Sequence, residues 1–214
     1  GFANLEHVKS PQDPQKFEQL IAYEGYAQCM AHASKIEHIK FKNKQVMRVN
    51  NLMKAREQIK VISQQTNRSL HPDLLYFHWS RYLNKRSLGK FLALENTLQL
   101  ETPKLQLNLA TYYVKRDKEK TLQLLYHSLE LSSDENQIDV EVFKSISTLF
   151  AEKKDFKKAY IWSKILHIYA REDETVTDQS LENYLRAYNL NSDVLDQRAE
   201  NILDRINDGE FKGP

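Results

Sequence analysis

Between Gly25 and Gly209 the chain carries a single glycine, Gly89, so most of its 214 residues must turn without the residue that turns most easily. Glycine enters the left-handed backbone region without steric cost, and loops that cradle phosphates or expose a nucleophile on a sharp elbow are built from it. A Gly-rich dinucleotide fingerprint, a P-loop and a nucleophile elbow are therefore excluded. Proline is as sparse: after Pro11, Pro14, Pro72 and Pro103 none occurs until Pro214. Long stretches free of both residues, with apolar side chains three and four apart, favour helices over turn-rich sheet. An all-α fold follows.

The spacing divides the chain into four segments. Residues 1–12 read as a linker or tail, because two prolines among polar residues suit an extended entry. Residues 13–66 read as an N-terminal helical hairpin. Asp13 is placed to cap its first helix, with Pro14 at the first helical position. The apolar stripes are Phe17, Leu20, Ile21, Ala27 and Met30 on one helix, then Val46, Val49, Leu52, Met53, Ile59 and Ile62 on the other, with a break over Gln64–Ser69. Residues 67–208 hold shorter, regular helices opened by Pro72, Ser87 and Pro103, the second running on to Leu98. Others carry Leu122 to Leu131, Val140 to Phe150, Phe156 to Tyr169, Ser180 to Tyr188 and Val194 to Ile206, with Ser132, Ser133 and Asp134 as punctuation. Residues 209–214 read as a tail.

Across residues 67–208 the same junction recurs. Lys85-Arg86-Ser87 is matched by Lys115-Arg116-Asp117 and by Lys153-Lys154-Asp155, about one helical hairpin apart. Two cations at a helix C-terminus oppose its partial negative charge, and Ser or Asp then caps the next helix. That spacing is the period of an α-solenoid.

These residues carry a resemblance. The run Thr121 to Leu131 resembles the second helix of a tetratricopeptide repeat, with Thr121, Leu125 and Ser128 at its small, large and small positions. Tyr112 stands at the aromatic position of the first helix and Asp117 in the inter-helix turn. Val142 to Tyr169 matches through Phe150, Asp155 and Ala159, departs at Leu166, and its Ala159-Tyr160-Ile161-Trp162 run is similar to Sel1-like repeats. Pro72 to Tyr169 also resembles an uncharacterised domain family of Gram-negative bacteria whose members are often predicted lipoproteins. The resemblance implies a right-handed α-solenoid of tetratricopeptide-like antiparallel helix pairs behind the N-terminal hairpin. It further implies a periplasmic protein, tethered through a segment upstream of Gly1, with a cytoplasmic setting as the alternative.

Function is then expected to be non-catalytic: a scaffold or adaptor holding a protein segment in the groove of the array. Carried over from the repeat pattern, Gln106, Tyr113, Glu141, Lys144 and Thr148 face that groove. Charge supplies the alternative. From Ala31 to Leu70 nine Lys or Arg stand against two acids, and from Arg171 to Glu210 four bases against eleven. Lys42, Lys44, Arg48, Lys54, Arg56 and Lys60 could meet an anionic surface or phosphates. Only Phe41 lies near them as a stacking ring, so nucleic acid is not the expected partner. An enzyme is the remote third reading. Glu172, Asp173, Glu174 and Asp178 hydrate a loop before a helix rather than mark an acid and base pair. Cys29, His32 and His38, and likewise His71 and His78, are too few to form a metal site. No cofactor or metal is expected. Cys29, the one cysteine, has no partner within the chain, and no apolar run is long enough to span a bilayer.

Overall fold

The computed structural model describes residues 12–36, 42–132 and 138–213, and among them every regular element is helical. The expected roles of residues 1–11, His38, Lys40, Phe41, Ser133, Asp134 and Pro214 lie outside the described residues, as does the side chain of Lys42. Contacts group the chain into two compact units, Gly1–Glu95 and Asn96–Pro214. The first therefore takes in more than the expected 13–66 hairpin.

In the first unit α1 (Asp13–Ala33) and α2 (Lys42–Thr66) run antiparallel. The last carbonyls of a helix lack partners within it, and here α2 supplies them: Arg48 Nη1 donates to Ala33 O at 2.9 Å and Gln45 Nε2 to Ser34 O at 3.2 Å. Asp13 is not the cap. It is already helical, and its carboxylate instead accepts from Ser69 Oγ at 2.5 Å, tying the start of α1 to the chain beyond α2. Phe17, Leu20, Ile62, Leu74 and Phe77 close a small core between α1, α2 and α3 (Pro72–Tyr82).

The stripe expected on α2 is half wrong. Ala55 and Ile62 are buried, whereas Val46, Val49 and Met53 are 60%, 40% and 64% exposed. At 100° per residue these two sets point in opposite directions, so the helix can bury only one of them. Nor does it break at Gln64; it runs on to Thr66, whose hydroxyl donates to Ile62 O.

Between α2 and the last helix turns are made without glycine, though not always as the junction pattern implies, while Gly209, with φ 69°, ends that last helix. Asp117 Oδ1 accepts from Lys120 N at 2.9 Å and Asp155 Oδ1 from Lys158 N at 3.1 Å, as expected of caps for α6 (Lys118–Glu130) and α8 (Phe156–Tyr169). At the third junction Lys85, Arg86 and Ser87 already belong to α4 (Lys85–Leu92). Its cap is Asn84, whose Oδ1 accepts from the amides of Arg86 and Ser87 at 3.0 and 3.1 Å. The reversal itself falls on side-chain-bearing residues in the left-handed region: Leu83, Asn96, Lys154 and Asn189, with φ between 50° and 63°. Asn96 also follows the turn that ends α4, so Leu98 lies in a short 3₁₀ turn, Leu98–Leu100, and is 90% exposed instead of continuing the helix.

The second unit holds α5 (Pro103–Tyr113) paired with α6, and α7 (Glu141–Glu152) paired with α8. Thr102 caps α5 by accepting from Leu105 N, and Pro103 follows where its missing N–H costs nothing. Thr121, Leu125 and Ser128 are all buried, and Ser128 Oγ donates across to Pro103 O at 2.8 Å. The last two helices, α9 (Asp178–Tyr188) and α10 (Ser192–Asn207), both pack on α8. Phe156 stacks on Tyr188 at 3.8 Å, and Tyr160 donates to Asp196 Oδ1 at 2.7 Å. Residues 209–213 are not a loose end. Phe211 is 4% exposed against Tyr126 and Trp162, and Gly213 N donates to Glu130 Oε1 at 2.7 Å. A ring of that size finds an apolar seat and takes the backbone with it.

Two predictions follow from these ends. A Cβ added at Gly25 or Gly89 would meet nothing within 4 Å, whereas at Gly213 it would come to 3.0 Å from Tyr126 Cβ. Gly25→Ala and Gly89→Ala should each stabilise by about 1 kcal/mol in urea melts, and Gly213→Ala should destabilise by loosening the strap. The second concerns pH. His127 lies 2.8 Å from Glu101 Oε2 and 3.2 Å from Glu130 Oε2. Burial alone would lower its pKa, but the two carboxylates outweigh burial and raise it. Glu130 is likewise pushed up by burial, yet the Gly213 amide and His127 draw it down on balance. The imidazole therefore contributes most below its unfolded pKa of about 6.5, and Glu130 above its own of about 4.3. Stability should crest between those values and fall as pH rises through the raised pKa of His127, a fall that His127→Gln should remove from thermal melts.

Candidate functional site

One opening in the second unit is assembled from regular helical spacing. On α10 Arg198, Asn201, Ile202 and Arg205 stand at i, i+3, i+4 and i+7, and on α8 Lys158, Ile161 and Trp162 stand at i, i+3 and i+4. Residues so spaced share one helix face. With Tyr126 of α6 and the strap residues Phe211 and Lys212 they enclose a groove of about 370 Å³. Its floor is apolar: Tyr126, Ile161, Trp162, Ile202 and Phe211. Its edges are Lys158, Arg198, Arg205 and Lys212, and no Asp or Glu lines it. Burial pushes the Tyr126 hydroxyl up to about 12, so it stays neutral. Arg205 Nη2 donates to Glu210 O at 3.3 Å, and Lys158 lies 3.6 Å from Asp155 and 5.1 Å from the Phe150 ring centre. Sequence reading missed this groove because Arg198 and Arg205 sit in an acid-rich segment; their spacing of seven was the available signal.

The residues expected to face a groove along α5 and α7 are divided. Gln106 is a correction: it is 5% exposed, and its Nε2 donates to Leu100 O at 2.9 Å, closing a carbonyl at the 3₁₀ turn. Tyr113 is half-buried, with Lys120 Nζ 3.1 Å from its hydroxyl and 4.2 Å from its ring centre. Glu141, Lys144 and Thr148 do share one face of α7. Lys144 bridges Glu141 at 3.1 Å and Asp173 at 2.8 Å, which raises its own pKa. Lys144 and the two Thr175 donors hold the Asp173 carboxyl down at about 2, a fixed anion rather than a proton donor at neutral pH. Asp178 pairs with His167 at 2.9 Å, so the acids of that loop do not converge.

On α2 the basic residues are also divided. Lys44, Lys54, Arg56 and Lys60 are exposed, while Arg48 is spent on closing α1. Arg56 and Lys60 border a shallow groove of about 390 Å³ against α3. There Ser63 Oγ meets Tyr82 OH at 3.0 Å, and Thr66 Oγ1 meets His78 Nε2 at 3.0 Å. Since Thr66 donates to Ile62 O, its oxygen accepts from Nε2–H of His78, a ring whose pKa burial lowers. His78 is thus a neutral, packed histidine. His71 Nδ1 lies 3.8 Å from Asp73 Oδ2 at the start of α3. Cys29 and His32 are exposed on α1. Among the described residues no group of three or more His, Cys, Asp or Glu is placed to hold a metal ion. No helix among them is long and apolar enough to cross a membrane.

Comparison with known proteins finds no match among curated proteins and none among solved structures. One family does match, over residues 3–164, which take in all of the first unit's helices and α5 to α7 with most of α8. The chain belongs to that family, described as Protein of unknown function (DUF2989).

Proposed function

We propose that this protein is a non-catalytic scaffold or adaptor that holds a segment of another protein. The observation that carries the reading is the groove of α8 and α10, whose apolar floor is large enough to take one or two side chains of a partner. Its seat differs from the α5 and α7 face expected from the repeat pattern, where Gln106 is turned inward. The pairs α5 with α6 and α7 with α8 are read as tetratricopeptide-like units of a short right-handed solenoid. Support comes from buried Thr121, Leu125 and Ser128 and from the aspartate caps at Asp117 and Asp155. The periplasmic, membrane-tethered setting belongs to the same proposal and rests on the family resemblance.

A second reading has its own observation. Val46, Val49 and Met53 form an exposed apolar line on α2, bordered by Lys54, Arg56 and Lys60. Apolar side chains among cations suit an anionic interface, to which each cation contributes about 1 kcal/mol near the surface.

The two readings separate in one set of measurements. For the scaffold, Ile202→Arg should abolish capture of the partner that co-purifies at native expression while helical circular dichroism is retained, and Lys54→Glu with Lys60→Glu should leave capture intact. For the interface, sedimentation with vesicles rich in phosphatidylserine should be lost in the α2 variant and fade as salt rises from ~0.1 to ~0.5 M.

A further inference from the structure

We infer that the segment seated in the α8 and α10 groove is acidic: an extended stretch in which an apolar or aromatic side chain is flanked by carboxylates. This rests on the reading that the groove takes a protein segment, and adds the chemistry of that segment. Its first support is where the charges lie. From Arg171 to Glu210 eleven acids stand against four bases, yet two of those four bases, Arg198 and Arg205, border one opening. Lys158 and Lys212 join them, and no carboxylate lines the groove. Cations of one sign around a low-dielectric floor concentrate the opposite charge at that point. Of the carboxylates near these cations, Asp155 lies 3.6 Å from Lys158 at the groove's edge, and two others have partners of their own. Asp196 accepts from Tyr160 and pairs with Lys164 at 3.0 Å, and Glu130 holds the Gly213 amide and His127.

The second support is a segment of the chain itself. Glu210 directly precedes Phe211, whose ring rests on Tyr126 and Trp162 while the backbone two residues on donates to Glu130. That stretch reads Glu210-Phe211-Lys212, so what it supports is a non-helical segment with a seated aromatic, and the acidic preference rests on the four cations. Single-stranded nucleic acid fits less well, because binding it requires open ring faces for stacking. Tyr126, Trp162 and Phe211 are only 8%, 4% and 4% exposed, which leaves half-buried Ile202 as the floor residue open to an anchor. The cations set partner choice and encounter rate, while the floor takes the anchor.

Fluorescence anisotropy on the full chain tests this with three short labelled peptides. The first carries Phe flanked by Glu and Asp, the second has the matching Gln and Asn, and the third has Lys at those positions. The acidic peptide should bind about tenfold or more tighter than its amide counterpart, and the Lys peptide should not bind. Arg198→Ala with Arg205→Ala should remove that preference, and Ile202→Arg should weaken both the acidic and the amide peptide. Should Ile202→Arg lose its helical circular dichroism, Ile202→Ala with Lys212→Ala replaces it. Equal affinity for acidic and amide peptides, lost together on changing Ile202, would overturn the acidic partner and leave the groove reading standing. Acidic binding untouched by any of these variants would overturn both. Absence of binding by either peptide up to ~1 mM overturns the inference. So does self-association of the chain that vanishes in the double arginine variant, since the occupant is then a second copy.

Discussion

The second unit is organised by the burial of α8. Ala159, Tyr160, Ile161, Trp162, Ile165 and Leu166 are all buried, on faces that cover most of the helix circumference. A helix buried on most of its faces must be covered by several neighbours. α7, α9 and α10 supply neighbours, and Tyr126 and Phe211 reach it by their rings. The groove lies where these coverings fail to meet. Its floor is the portion of Ile161 and Trp162 that α6, α10 and the strap leave accessible, and so its apolar character is a by-product of the same demand that folds the unit. Its cationic edges are not: they come from the solvent-facing margins of α8 and α10, which packing leaves unspecified.

Helix ends are the other constraint. A glycine-poor chain closes them with side chains, and three solutions recur. Aspartate or asparagine caps a following helix at Asp117, Asp155 and Asn84; a long side chain from a neighbour reaches exposed carbonyls at Arg48 and Gln106; and a non-glycine residue takes the left-handed turn at Leu83 and Lys154. Arg48 and Gln106 show how this reshapes a functional reading. Both have the chemistry of a binding residue, and both serve the backbone.

What the sequence made legible follows from which forces act locally. The helices of 103–169 were readable because caps, proline and apolar period agree there, as at Thr102-Pro103 and Asp155-Phe156. The hairpin was readable as a pair, yet the buried side of α2 was not: Val46, Val49 and Met53 have the same local pattern as Ala55, Ile59 and Ile62, and only tertiary contact chooses between them. Ser87 reads as a cap in the sequence, but Asn84, three residues earlier, offers the same chemistry and starts the helix sooner, accepting from the amides of Arg86 and of Ser87 itself. The groove was illegible for a different reason. It joins α6, α8, α10 and the strap, whose residues run from Tyr126 to Lys212, and no local window contains it.

The open face of α2 has a covalent consequence. Met47 and Met53 are 61% and 64% exposed there. Their thioethers meet dissolved oxidants without any opening of the fold, and conversion of Met53 to sulfoxide would set a polar group in the apolar line of Val46 and Val49. These two sulfurs thus act as built-in footprinting probes: a partner or surface that covers α2 slows their oxidation.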